Sequence, residues 1–135
     1  MILNWKTVLI GFIITLALYT AGASLEHIII LKGAIYILAP IIGGLLVVYI
    51  NKNGDYVNNI INGALSSGLA GFTATFMITV LIEPVSIPGV YLEMLISIVV
   101  THAVMAFVIG AVMGLIGGMI GILAKEKVSE NKSSN

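Results

Sequence analysis

"GAVMGLIGGMIG", residues 110–121, carries five glycines in twelve positions. A run this dense in glycine either cradles a phosphate or lets helix backbones touch. A P-loop places Gly-Lys-Ser/Thr after a strand, but the one lysine beside a glycine here is Lys32, which precedes Gly33. A dinucleotide turn needs G-x-G-x-x-G between strand and helix, with an acid about twenty residues on. The run has glycines at 110, 114, 117, 118 and 121 instead, inside an apolar stretch too long for a strand. At about 100° per residue, Gly110, Gly114, Gly117 and Gly121 fall within about 60° of arc, and Ala103, Ala106 and Ala124 continue the stripe. A seam of small residues lets helices approach closely in lipid, where packing and weak hydrogen bonds drive association. The competing reading is glycine that faces lipid and does nothing.

Working outward, the composition fits a membrane. The 135 residues predict one domain. Hydrophobic residues make up 59% and charged residues 9%, against about 25% charged in a soluble domain. Mean hydropathy is +1.15. Formal net charge is zero, so no basic field favours nucleic acid. The six cations are all lysine, which removes bidentate arginine clamps. With no cysteine, thiol catalysis, thiolate metal sites and disulfides are excluded.

Four apolar segments predict an all-α bundle of four transmembrane helices in two hairpins, with spans at about 5–24, 28–50, 56–82 and 91–124. Together they form a transmembrane domain over residues 1–124, followed by a polar, frayed cytoplasmic tail over 125–135. Trp5, Tyr49, Tyr56 and Tyr91 stand at segment ends, where amphipathic rings favour the headgroup level. "NKNGDY" (51–56) reads as a polar turn, and the prolines of "EPVSIPG" (83–89) stop a helix. Four crossings put Lys6, Lys52, Lys125, Lys127 and Lys132 on one side and Lys32 alone on the other. The positive-inside rule then makes both termini cytoplasmic. Lys6, a short apolar core and Ala21-Gly22-Ala23 also match a secretory signal with a cleavage site. Several later spans make an uncleaved first helix the simpler reading.

The third segment carries a matching seam: Asn59, Gly63, Ala70 and Ala74, flanked by Ser66 and Ser67. A short turn makes the third and fourth helices antiparallel neighbours, so the two seams are expected to face each other, or one to face a partner subunit. Pro40, followed by Gly43 and Gly44, predicts a kink in the second helix. Asn58, Asn59 and Asn62 either cap and solvate the cytoplasmic end of the third helix or line a wet entrance there. "LIGFIIT" (9–15) echoes "LAGFTAT" (69–75), and "IIGGLL" (41–46) echoes "LIGGMI" (115–120), which reads either as a parallel repeat or as chance likeness among apolar residues.

His102 is the one ionisable residue deep in a span. It lies about 16 Å along the axis from Tyr91, near the bilayer centre. Such a group is a candidate ion or proton residue. The plainer reading is a neutral imidazole bonded to Thr15, Ser67, Thr73 or a carbonyl on another helix. Glu26, His27, Glu83 and Glu93 map to the outer side, but their spacing matches no metal motif, so neither a metal nor a cofactor is expected. No H-E-x-x-H, G-x-S-x-G or pair of intramembrane carboxylates occurs, and no enzyme is expected.

The stretch from Ile41 to Phe72 has Gly43-Gly44 with Tyr49, the turn glycine Gly54 with Tyr56, and Gly63-Ala64-Leu65 followed by Gly68 and Gly71. It resembles an archaeal family of small, glycine-rich, four-helix membrane proteins that is a domain of unknown function. The resemblance implies a membrane location and four helices, and brings no functional residues with it.

The reading is therefore a multi-pass protein of the cell membrane, in contact with the lipid bilayer. Its expected role is that of a non-enzymatic structural or accessory component. It would pack through Gly63, Ala70, Ala74, Ala103, Ala106, Gly110, Gly114, Gly117 and Gly121, and associate as a homo-oligomer or within a larger complex. The alternative is a small transporter or channel subunit that uses His102.

Overall fold

The computed structural model describes residues 3–25, 28–51, 55–82 and 92–133. Its helices are α1 (Trp5–Ala23), α2 (Ile29–Ile50), α3 (Tyr56–Met77) and α4 (Leu92–Ser133), and α3 widens into a π-helical turn over Ile78–Ile82. All four helices are long and apolar enough to cross a membrane. At about 1.5 Å per residue, the 19 residues of α1 span about 29 Å, which matches a hydrocarbon core of about 30 Å.

Local chemistry sets the ends. Asn4 caps α1 by accepting the Thr7 N–H on Oδ1 at 3.4 Å. Asn51 closes α2, its backbone N–H donating to Val47 O at 3.0 Å. Pro40 sits inside α2 without ending it. The Ser67 hydroxyl of α3 donates to the Pro40 carbonyl at 2.9 Å and ties α3 to α2 at that point. The π turn begins at three successive β-branched residues, Ile78, Thr79 and Val80.

α4 corrects the expected tail. It has 42 residues and continues as helix through Lys125 to Ser133, rather than fraying after Ala124. Charge ended the hydropathy signal there, but lysine and glutamate are good helix formers, so polarity did not end the helix.

α3 packs on α4, α1 and α2, and α2 also packs on α4 and α1, so α1 and α4 lie on opposite sides of an α2–α3 centre. The interior is small and polar. Ala70, Ser66, Ser67, Thr15 and Ala103 are all 0% exposed. Large apolar side chains point outward instead, among them Ile30, Leu9, Met105, Ile109 and Leu123. In water this arrangement would be inverted. In lipid the outer face costs nothing, and close packing of small residues holds the helices together.

Candidate functional site

The bundle centre is a crossing of three backbones. Gly44 of α2, Gly63 of α3 and Gly114 of α4 meet there. A β-carbon on Gly44 would fall on the Gly114 carbonyl, and one on Gly63 would lie 3.1 Å from Gly44 Cα and 3.2 Å from Gly114 O. A β-carbon on Gly110 would sit 2.6 Å from Ser67 O, and one on Gly71 2.6 Å from Ala106 O. Gly117 faces α2, where its β-carbon would overlap the Ile41 carbonyl, and Gly121 packs on Val48 and Leu45 of the same helix. The stripe on α4 thus divides: Ala106 and Gly110 meet α3, Gly114 meets α3 and α2 together, and Gly117 and Gly121 meet α2. Ala103 is fully buried.

Gly63 faces the crossing, but Ala70 and Ala74 cluster with Tyr19 of α1 and Ala39 of α2. The line that α3 turns toward α4 is Gly63, Ser67, Gly68 and Gly71. One layer away, Thr15 of α1, Gly43 of α2 and Ser67 of α3 converge, and a β-carbon on Gly43 would overlap Thr15 Oγ1.

One end of the bundle holds amides that sequence reading placed at solvated helix ends. Asn4 Nδ2 donates to Asn51 Oδ1 at 3.1 Å, and Asn51 Nδ2 donates to Asn59 Oδ1 at 2.7 Å. This ladder ties the start of α1, the end of α2 and the start of α3 together. Asn59 and Asn62 are 3% and 1% exposed, so they do not solvate the end of α3, whereas Asn58 is half-buried. Asn51 falls in the stretch that reads as a polar turn, and Asn4 lies just before the first apolar span. The available signal was the recurrence of asparagine at three span ends on one side.

Beside the ladder, a cavity of about 390 Å³ opens between α2, α3 and α4, with Asp55, Asn59, Lys125 and Ser129 among its lining residues. At its rim the Tyr56 hydroxyl donates to Glu126 Oε1 at 2.5 Å, fastening the polar extension of α4 to the start of α3. At the other end, Tyr19 and Tyr36 pack with ring centroids 5.4 Å apart.

His102 does not join this interior. It is exposed on the outer face of α4, and its Nδ1 lies 2.8 Å from the Ile98 carbonyl of its own helix, not against Thr15, Ser67 or Thr73. Of the outer residues weighed as cation ligands, Glu26, His27 and Glu83 lie outside the described residues, and Glu93 is exposed. Among the described residues no three acids or histidines gather as a metal site.

Four membrane-length helices, closed on glycine, serine and asparagine and apolar outside, define a multi-pass helical membrane protein. A model of a family of unknown function, DUF5518, matches residues 5–124, and the chain belongs to that family. No curated protein and no solved structure matches the chain.

Proposed function

We propose that the protein is a non-enzymatic structural or accessory component of the cell membrane, with both termini in the cytoplasm, that acts by association with itself or with a larger complex. The observation that carries this reading is the character of the interior. Among the residues whose burial is described, no Asp, Glu, Lys or His is buried, and the buried polar side chains are the neutral Thr7, Thr15, Asn51, Asn59, Asn62, Ser66 and Ser67. Ion and proton pathways through membranes run past ionisable groups that face a bundle interior or a wet cavity. Here the centre is occupied by backbone contact between Gly44, Gly63 and Gly114. His102, on which a transporter reading depends, stands on the outer face.

Extraction from native membranes in mild detergent tests the proposal. An accessory component elutes in a defined assembly, with copies of itself or with other proteins, and cross-links at the same stoichiometry before extraction. Elution as a lone monomer, together with an ion flux in proteoliposomes that His102→Ala abolishes, would replace this reading with the transporter.

A further inference from the structure

Asn62 is 1% exposed, and among the described residues neither its Oδ1 nor its Nδ2 has a hydrogen-bond partner. Its place follows from helix register. A β-carbon on Gly11 of α1 would lie 2.8 Å from Ser66 Oγ and 2.6 Å from Val47 Cγ2, so Gly11, Val47 and Ser66 are level. The Asn4–Asn51–Asn59 ladder puts the start of α1, the end of α2 and the start of α3 at one end. One turn toward that end from the Gly11 level are Thr7 on α1, Asn51 on α2 and Asn62 on α3, all buried. Asn62 therefore lies within a three-helix junction, level with the middle rung of the ladder.

A buried amide with neither atom paired forfeits its hydration without return. The group that completes it must donate to Oδ1 and also accept from Nδ2. A cation meets the first need and is repelled by the Nδ2 hydrogens; an anion does the reverse. Either would also be an unpaired charge among neutral side chains. Water meets both needs and has bonds to spare for a neighbouring polar group.

We propose that Asn62 binds a single buried water molecule that bridges it to the amide ladder at Asn51. The route of entry is the cavity of about 390 Å³ at the bundle end. Asn59, one turn from Asn62, belongs both to that cavity's wall and to the ladder.

NMR on the full chain in nanodiscs tests this through the side-chain amide protons of Asn62. A long-lived water bound there gives a direct nuclear Overhauser cross-peak between water and the Asn62 Hδ2 protons, with the sign of a slowly tumbling complex. An assigned Asn62 amide without that cross-peak overturns the proposal. A second readout is thermal unfolding of Asn62→Leu. A bridged amide loses its bonds on substitution and Tm falls; an amide left unsatisfied loses only a penalty and Tm rises, which contradicts the proposal. Exchange of sodium for N-methylglucamine leaves Tm unchanged if the ligand is water. A fall in Tm on that exchange makes the ligand a cation and refutes the assignment.

Discussion

Gly44 of α2 and Gly114 of α4 meet backbone to backbone, with no room for a β-carbon on Gly44 beside the Gly114 carbonyl. Gly63 of α3 closes the third side of the same crossing. Lipid gives helices no hydrophobic reason to associate, since tails and leucines are equally apolar. Contact must come from packing and from weak carbonyl and Cα–H interactions, which need backbones this close. The crossing is where this chain obtains that proximity.

The amide ladder predicts a local cost. Asn51→Ala removes the bonds that Asn51 makes with Asn4 Nδ2 and Asn59 Oδ1. Removing one member of a buried pair costs about 1–3 kcal/mol. Unfolding in denaturant should show a loss of that size for Asn51→Ala. The partly exposed Asn58 is the control, and Asn58→Ala should stay within about 0.5 kcal/mol of wild type. Equal stability of the two variants would mean that the ladder does not bear on the fold.

His102 predicts the opposite. Its ring is exposed and, among the described residues, bonds only to its own helix, so His102→Leu should leave the Tm of the isolated bundle unchanged, within about 0.5 kcal/mol of stability. A large loss would show that the ring does bear on the fold and would contradict its place on the outer face.

Reading from sequence goes as far as the period and length of apolar residues carry it. Spans of about twenty apolar residues exist because lipid leaves a backbone no other way to satisfy itself, so the four helices were visible. The direction of His102 was not visible: it stands one turn before Ala106 of the stripe, about 40° from it round the helix, and depth alone drew attention to it. The ladder was not visible, because Asn4, Asn51 and Asn59 come from three helices and each alone looks like an end residue. Nor could a stripe of small residues say which neighbour it meets. Gly110 and Gly117 share one stripe but touch α3 and α2 respectively, as only the three-dimensional crossing decides.

The Tyr56–Glu126 bond predicts a tether on the polar extension of α4. Both groups are at the surface, so the fold should not depend on them. Tyr56→Phe should speed hydrogen exchange over residues 125–133 and leave α3 unchanged. Unaltered exchange in that segment would show that the helix holds itself there.

The proposed orientation can be read by labelling, since the chain has no cysteine of its own. Ser129→Cys and Ser24→Cys place single thiols at exposed positions at the two ends of the bundle. With both termini inside, a membrane-impermeant maleimide added to intact cells should label Ser24→Cys and spare Ser129→Cys until the cells are opened. The reverse pattern would invert the topology.

The central claim is that backbone contact at the glycine crossing holds the bundle, and one matched pair tests it most directly. Gly33→Ala and Gly44→Ala are the same substitution on the same helix, with the same gain in helix propensity of roughly 0.5–1 kcal/mol. A β-carbon at position 33 meets nothing within 4 Å, whereas one at position 44 meets the backbone of Gly114. Thermal unfolding of both variants in one detergent should leave Gly33→Ala at or above the wild-type Tm. Gly44→Ala should fall well below it, by the roughly 1–3 kcal/mol that overpacking costs. Equal Tm values for the two would contradict the account.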